Sequence, residues 1–111
     1  MEKDQLPLTE TVFYILMAFK QPTYGYLAIK SIEEMSSGEV RIAAGTMYGA
    51  IETLLKKGMI EQIPSNLERR KMYQVTSLGE LILSMEVERM KRCTQLWDQI
   101  NIGGGIDNEK V

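Results

Sequence analysis

The stretch that most constrains the fold is residues 45–60, GTMYGAIETLLKKGMI, whose apolar residues recur every three or four positions. This spacing predicts one helix with a single apolar stripe that packs on a core. A face of small, uncharged residues that ends in lysine lets the backbone approach another surface closely, as in the major groove of DNA. Taken alone, the stretch is equally typical of an ordinary packed helix. The face opposite the stripe holds Gly45, Thr46, Gly49, Thr53 and Lys56.

Two shorter helices are predicted before this stretch. Thr9 can cap the first, which ends near residue 20, and Thr23 can cap the second, over residues 24–35. Residues 39–42 form a short extended segment between the second helix and the central one. The predicted order up to this point is therefore helix, helix, short strand, helix.

A β-hairpin and a long final helix are predicted after the central helix, which Gly58 ends. Residues 60–63 and 70–75 alternate apolar and polar side chains around a turn-rich loop. Thr76 or Ser77 then caps the final helix.

Three helices followed by a hairpin with a basic tip is the layout of a winged helix-turn-helix. We therefore expect a mainly α (α+β) fold, a winged helix-turn-helix with a long C-terminal dimerisation helix. Residues 6–76 would form the winged-helix DNA-binding domain and residues 77–100 the dimerisation helix, within one structural unit. Residues 101–111, which include three consecutive glycines, are predicted to be a flexible tail.

The distribution of charge along the chain favours a nucleic-acid partner more than the net charge does. The chain of 111 residues has a net charge of −2, which alone argues mildly against nucleic acid. Residues 40–76, however, hold six basic and three acidic side chains, whereas the remainder holds seven basic and twelve acidic ones. This asymmetry places an excess of positive charge on the central helix and the hairpin.

Several other classes of function are disfavoured. The chain has no His and a single Cys93, so a zinc site of the usual ligands, a disulfide framework and a His-activated nucleophile are not expected. We expect no membrane span, because no apolar run is long enough, and the acidic residues 1–5 are not typical of a signal peptide. We expect a cytoplasmic protein that is not an enzyme and that has no cofactor.

The hairpin tip and the central helix supply the predicted DNA contacts. The consecutive cations Arg69, Arg70 and Lys71 favour contact with phosphates over a role in keeping a strand edge from aggregating. Strand alternation would place Arg69 and Lys71 on one face and Arg70 on the other. On the central helix Thr46, Gly49 and Thr53 would approach bases and Lys56 the backbone, while Tyr26 and Tyr48 either donate hydroxyls to phosphates or are half-buried rim aromatics.

The final helix carries more apolar surface than its own domain can cover. Its first turns suffice for docking, yet apolar residues continue at spacings of three and four, which favours a partner helix around a two-fold axis and a palindromic operator. Cys93 is interpreted as a packed residue rather than a redox sensor. The predicted dimer interface consists of Val87, Met90, Cys93, Thr94, Leu96 and Trp97.

A symmetric interface of this kind can also enclose a cleft for a ligand. Met and Trp side chains adapt to flat apolar molecules, and no Lys, Arg or His lies on the stripe of Val87, Met90 and Trp97, so a ligand would be apolar or aromatic. Plain dimer packing explains the same residues. The tentative ligand residues are Phe13, Met17, Met90 and Trp97.

Several motifs in order resemble the PadR family of bacterial transcriptional repressors. They cover most of residues 8–97: LTE at 8–10, GY at 25–26, GTMY at 45–48, LKKGMI at 55–60, RRKMY at 69–73 and TSLG at 76–79. The resemblance implies a winged-helix DNA-binding domain, a dimer made by the C-terminal helix, and the short branch of the family. Tyr24 departs from the pattern, since a His commonly precedes Gly25-Tyr26. For Tyr48 the resemblance favours a DNA contact. For Tyr26 both interpretations, a hydroxyl that contacts a phosphate and a half-buried rim aromatic, stay open.

The resulting prediction is a homodimeric, sequence-specific repressor that binds double-stranded DNA. The resemblance also favours release by a small apolar or aromatic effector, since some related repressors take such compounds near the dimer interface. The alternative is a winged-helix module that binds proteins and not DNA, which the acidic overall balance keeps open.

Overall fold

Four α-helices and one two-stranded antiparallel sheet follow a short 3-10 helix, Glu2–Gln5, in the computed structural model, which describes residues 2–66 and 69–101. This is the predicted winged helix-turn-helix. The elements in chain order are α1 Glu10–Ala18, α2 Gly25–Met35, α3 Ala44–Lys56, β1 Ile60–Ile63, β2 Met72–Val75 and α4 Ser77–Asn101.

Three of the predicted helix boundaries are confirmed by their capping groups. The Thr9 Oγ1 accepts a hydrogen bond from the Val12 amide at 3.1 Å and so caps α1. Gly58 follows α3 with a φ of +75°, the left-handed conformation that glycine adopts at least cost. Of the two candidates for α4, Thr76 is the cap, because its Oγ1 accepts from the Gly79 amide at 3.1 Å.

The short strand was predicted on the wrong side of α2. Thr23 does not cap this helix but is buried and forms a β-bridge with Tyr73 through two backbone hydrogen bonds of 3.2 and 2.8 Å. Residues 39–42 form no strand, since the Val40 amide donates to the Ser36 Oγ at 2.9 Å instead of to another strand. Tyr24 becomes the N-terminal cap residue of α2.

One apolar core joins the helices to the sheet. Phe19, at the end of α1, is fully buried and meets the ring of Tyr73 edge-to-face, with the ring centroids 5.9 Å apart. The Val75 amide donates to the Phe19 carbonyl at 2.9 Å, so β2 is also attached to α1 through the backbone. The other buried side chains include Ile15, Leu16, Ala28, Ile32, Met47, Ile51, Leu54, Met59, Ile60, Ile82 and Leu83.

We call β1, β2 and the loop between them the wing. Its strands pair from Ile60 opposite Val75 to Ile63 opposite Met72. Since Tyr73 is bonded to Thr23, the wing lies beside the start of α2.

The first turns of α4 pack on the domain, and the rest of the helix leaves it. Ile82 and Leu83 are buried, whereas every residue from Lys91 to Gln99 is exposed. Asn101 is still helical, one residue beyond the predicted end, and the rest of the predicted tail lies outside the described residues. Within the part of the chain that the structure describes, no helix is long and apolar enough to cross a membrane.

A buried carboxylate attaches α4 to the segment before α1. Glu86 is 2% exposed and accepts two hydrogen bonds from the Arg89 guanidinium, at 2.8 and 2.7 Å, and a longer one from the Leu8 amide at 3.4 Å. The bonds from Arg89 hold the pKa of the Glu86 carboxyl below its ordinary 4.5, although burial alone would raise it. The position of α1 relative to α4 therefore depends on an ionised group.

We expect Glu86→Gln to lower the free energy of unfolding at neutral pH by about 1.5–3 kcal/mol, the range for hydrogen bonds to charged groups. Because the pKa is lower in the folded than in the unfolded protein, this stabilisation is complete above 4.5 and is lost as the pH falls through the lowered value. Urea denaturation at several pH values measures this effect. The difference in free energy of unfolding between the wild type and Glu86→Gln should become smaller in acid. Glu88→Gln, which removes an exposed carboxylate, should change little. A difference that stays constant into acid would instead indicate lost packing.

Candidate nucleic-acid interface

The exposed side of α3 is the outward face predicted from its periodicity. Met47, Ile51 and Leu54 are buried, so the opposite side of the helix faces solvent. The face carries one acidic residue, Glu52, that sequence reasoning did not single out. We define the outward face as Gly45, Thr46, Gly49, Glu52, Thr53 and Lys56, all of them exposed.

The N-terminal half of this face is open to an approaching surface. A Cβ atom built at Gly45 or at Gly49 would meet nothing within 4 Å. Thr46, Gly49 and Thr53 line a shallow groove between α3 and residues 5–12. Three of the predicted DNA contacts therefore lie along one edge of the outward face.

A second concavity, the wing cleft, lies where α2, α3 and the wing meet. It brings together five predicted contacts from three separate parts of the chain, and Tyr24, Gly25 and Tyr73 complete its lining. A cleft with both cations and phenol hydroxyls has the groups that proteins use to bind phosphate oxygens. The wing cleft is lined by Tyr24, Gly25, Tyr26, Tyr48, Arg69, Arg70, Lys71 and Tyr73.

Gly25 and Tyr48 connect α2 to α3 inside the wing cleft. A Cβ atom at position 25 would lie 2.7–2.9 Å from three atoms of the Tyr48 phenol, so only glycine allows this ring position. The Tyr48 side chain stays 52% exposed, with its ring on the backbone of α2. The phenol is therefore held at the cleft without being buried in it.

Arg70 contacts Tyr24, and the sequence did not predict this contact. Its guanidinium carbon lies 4.5 Å from the centroid of the Tyr24 ring, and its Nη1 donates a short hydrogen bond to the Tyr24 hydroxyl. Arg69, Arg70 and Lys71 all line this cleft, and the predicted division of their side chains between two faces stays a prediction. Strand alternation does not apply to them because β2 begins only at Met72.

The two remaining tyrosines of the cleft differ in exposure. Tyr26 is 56% exposed, with the Lys30 ammonium 5.1 Å from its ring centroid. Tyr73 forms the buried floor of the cleft, and burial, with a smaller contribution from Tyr48, raises the pKa of its phenol. Tyr26 is thus available to a ligand, while Tyr73 is structural.

The N-termini of α2 and α3 differ from those of the other two helices. Thr9 and Thr76 cap α1 and α4, and each of those helices has a Glu in its first turn. Neither Tyr24 nor Ala43 caps its helix with a side chain, and neither α2 nor α3 has an acidic residue in its first turn. Both helices therefore present free amides and an uncompensated positive dipole end, which favour a bound anion.

The predicted dimer and ligand residues lie on the outer surface of the single chain. Trp97 is 67% and Leu96 56% exposed, and Thr94 and Cys93 are exposed as well. Val87, Met90 and Phe13 are half-buried, while Met17 is exposed. The interpretation of Cys93 as a packed residue is therefore wrong for the single chain, because α4 has left the domain at this position.

Comparison with known proteins places residues 12–84 in the transcriptional regulator PadR-like family. A transcriptional regulator from Clostridium thermocellum superposes with a TM-score of 0.66 at 20% identity, covering 83% of this chain and 92% of that one. A PadR family regulator from Eggerthella lenta gives 0.65 at 23% identity, covering 91% and 86%. Bacillus subtilis PadR in complex with operator DNA gives 0.62 at 21% identity, covering 73% of this chain and 48% of that one. These superpositions confirm the fold.

We expect Gly25→Ala and Tyr48→Ala to be energetically coupled. The new methyl group displaces the Tyr48 ring in the wild-type background and meets open space when the ring is absent, so Gly25→Ala should be more favourable by about 1 kcal/mol in the Tyr48→Ala background. Urea denaturation of the four proteins measures this coupling. Gly45→Ala is the matched control, since its methyl group has no neighbour within 4 Å and should be additive with Tyr48→Ala. Additivity at Gly25 would contradict the described contact.

Proposed function

Because the chain belongs to the PadR-like family of transcriptional regulators, we propose that it binds operator DNA as a homodimer and represses transcription. The observation that carries this proposal is the position of the wing cleft beside the outward face of α3. Cations, exposed phenols and two uncapped helix N-termini surround a helix face that is smooth enough to enter a groove.

The proposed mode of binding follows from the shape of this surface. The outward face of α3 enters the major groove, where the open backbone at Gly45 and Gly49 lets Thr46 and Thr53 approach base edges. The wing then lies over the adjacent backbone, with Arg69 and Lys71 on phosphates. Related Bacillus subtilis PadR is known in complex with operator DNA, which supports this function for the fold.

The wing cations differ in the part that we propose for them. Arg70 is already bonded to Tyr24 and stacked on its ring, so it orients the wing against α2. Arg69 and Lys71 make no ion pair with any other residue in the two described ranges. They are therefore available to phosphates, and Tyr26 and Tyr48 can donate their hydroxyls to the same strand.

We propose that α4 makes the homodimer. Its exposed part carries Leu96 and Trp97, large side chains that water solvates poorly, and a second copy of the helix would cover them. Two-fold symmetry would then present two copies of α3 to a palindromic operator. Val87, Met90, Cys93 and Thr94 complete the proposed interface.

A small apolar or aromatic effector is the second part of the proposal. Trp97 and Met17 expose apolar surface on α4 and α1, and Phe13 and Met90 extend it. A ligand held between two protomers at these residues would change the spacing of the two α3 helices and so release DNA.

Salt dependence tests the proposed contact between the wing and DNA. If each protomer neutralises about three phosphates, log K should fall against log salt with a slope near −5. Replacing both Arg69 and Lys71 by Ala should weaken binding to all sequences and reduce the slope by roughly 3 to 4. Fluorescence anisotropy with labelled duplexes at several salt concentrations measures both quantities.

Lys3→Ala with Lys91→Ala removes the same charge from residues that lie on or beside α4, and this control should change the slope much less. Unchanged affinity of the wing variant would remove the wing from the mechanism. A wild-type protein that binds no genomic fragment, but that captures a protein partner through the same surface, would favour the alternative function.

Trp97→Glu tests the dimer. The side chain is largely exposed in the single chain, so the variant should fold, whereas the charge would be buried against the partner helix at a cost of several kcal/mol. Sedimentation at micromolar concentration should give a monomer that binds a half-site weakly. Gln95→Glu adds the same charge at another exposed position of α4 as a control. A wild-type protein that sediments as a monomer would refute the dimer.

Intrinsic fluorescence tests the effector, because Trp97 is the only tryptophan of the chain. Titration with planar aromatic compounds should quench it in a saturable way, and the same compounds should release DNA. Quenching that is absent or linear, or bound compounds that leave DNA affinity unchanged, would mean that these residues serve packing alone.

A further inference from the structure

Glu52 is exposed and lies on the outward face of α3, one turn after Gly49 and one turn before Lys56. Gly45, Gly49 and Glu52 are four and three positions apart, so they follow one another along the same side of the helix. The two glycines have no side chain, and the space above them is open. Glu52 is therefore the first side chain that projects along this line from the N-terminus of α3.

The Glu52 carboxylate has no structural role that the fold explains. It is exposed, and within residues 2–66 and 69–101 it forms neither a hydrogen bond nor an ion pair, not even with Lys56 one turn later. Helix-surface carboxylates commonly pair with a cation at this spacing. The Glu52 carboxylate is instead unpaired within the described residues, on a surface whose cations and helix N-termini attract anions.

A carboxylate in the major groove only accepts hydrogen bonds, and the phosphates on either side repel it. Guanine presents two acceptors there, thymine presents an acceptor and a methyl group, and adenine presents an acceptor beside its amino donor. Cytosine presents its N4 amino group without a neighbouring acceptor on the same base. Cytosine is therefore the base edge that best compensates the repulsion.

We propose that Glu52 determines operator specificity by accepting a hydrogen bond from the N4 amino group of one cytosine in each half-site. This inference rests on the proposed DNA binding and adds the base that the helix selects. Lys56, Arg69 and Lys71 supply attraction to any DNA, whereas Glu52 opposes binding wherever no amino group meets it. Its effect is thus on discrimination between sites more than on affinity.

Selection from a randomised duplex library, followed by sequencing, tests the proposal with the purified full-length protein. The wild type should enrich cytosine at one position of each half-site. Glu52→Ala should lose that preference, by about 5- to 150-fold in relative affinity for cytosine over the other bases. Glu52→Gln should change the preference at the same position to adenine, because an amide both donates to N7 and accepts from the N6 amino group.

Glu34→Gln is the matched control, since it removes one exposed carboxylate near the C-terminal end of α2, away from the outward face. It should leave the selected sequence unchanged. Binding of the variants to a non-selected duplex should strengthen for Glu52→Ala and Glu52→Gln and stay constant for Glu34→Gln. Circular dichroism melts confirm that each variant is folded.

The outcomes separate this inference from the function on which it rests. A wild type that enriches no sequence refutes the proposed DNA binding itself. A wild type that enriches a palindrome, with the same base preferences retained in Glu52→Ala, leaves that function intact and refutes the role of Glu52. A preference that changes only at positions not occupied by cytosine refutes it as well.

Discussion

Backbone hydrogen bonds and one aromatic contact attach the wing to the turn between α1 and α2. Two backbone hydrogen bonds join Thr23 to Tyr73, a third joins Val75 to the carbonyl of Phe19, and the Phe19 and Tyr73 rings pack edge-to-face beneath them. A two-stranded hairpin alone is marginally stable in water, so these contacts make the wing part of the domain. They also bring the cations of the wing next to Tyr24 and Gly25, and thereby create the wing cleft.

The N-termini of α2 and α3 belong to the same arrangement. A glycine at position 25 lets the Tyr48 ring lie on the backbone of α2, which brings two uncapped helix ends and a phenol to one surface. The capped and acidic N-termini of α1 and α4 show that uncapped ends are not a general property of this chain. Free amides are stabilised by water or by an anion, and in the proposed complex a DNA phosphate would be that anion.

Acidic residues have two different relations to this surface. Glu86 is buried, is neutralised by Arg89 and binds the Leu8 amide, so it attaches the start of the domain to α4. Glu52 is exposed on the outward face and unpaired within the described residues. The first links α4 to the segment before α1 through the Leu8 amide. In the proposed complex, the second would lower the attraction to DNA in general and so favour discrimination among sites.

Sequence patterns alone predict the order and kind of nearly all elements. Thr9, Gly58 and Thr76 act within three residues of their own helix ends, so local chemistry is sufficient to predict α1, α3 and α4. The apolar period of residues 45–60 likewise identified the outward face of α3. The packing of the elements fixes which distant groups are in contact. Thr23 pairs with Tyr73 instead of the amides of α2, Tyr24 binds Arg70 46 residues later, and Glu86 accepts from an amide 78 residues earlier. Periodicity reports which side of an element is apolar, but the partner that covers a polar or aromatic group is chosen only when all elements pack together. For that reason the wing cleft could be predicted residue by residue only in part, and Tyr24 and the carboxylate of Glu86 became evident only in the folded chain.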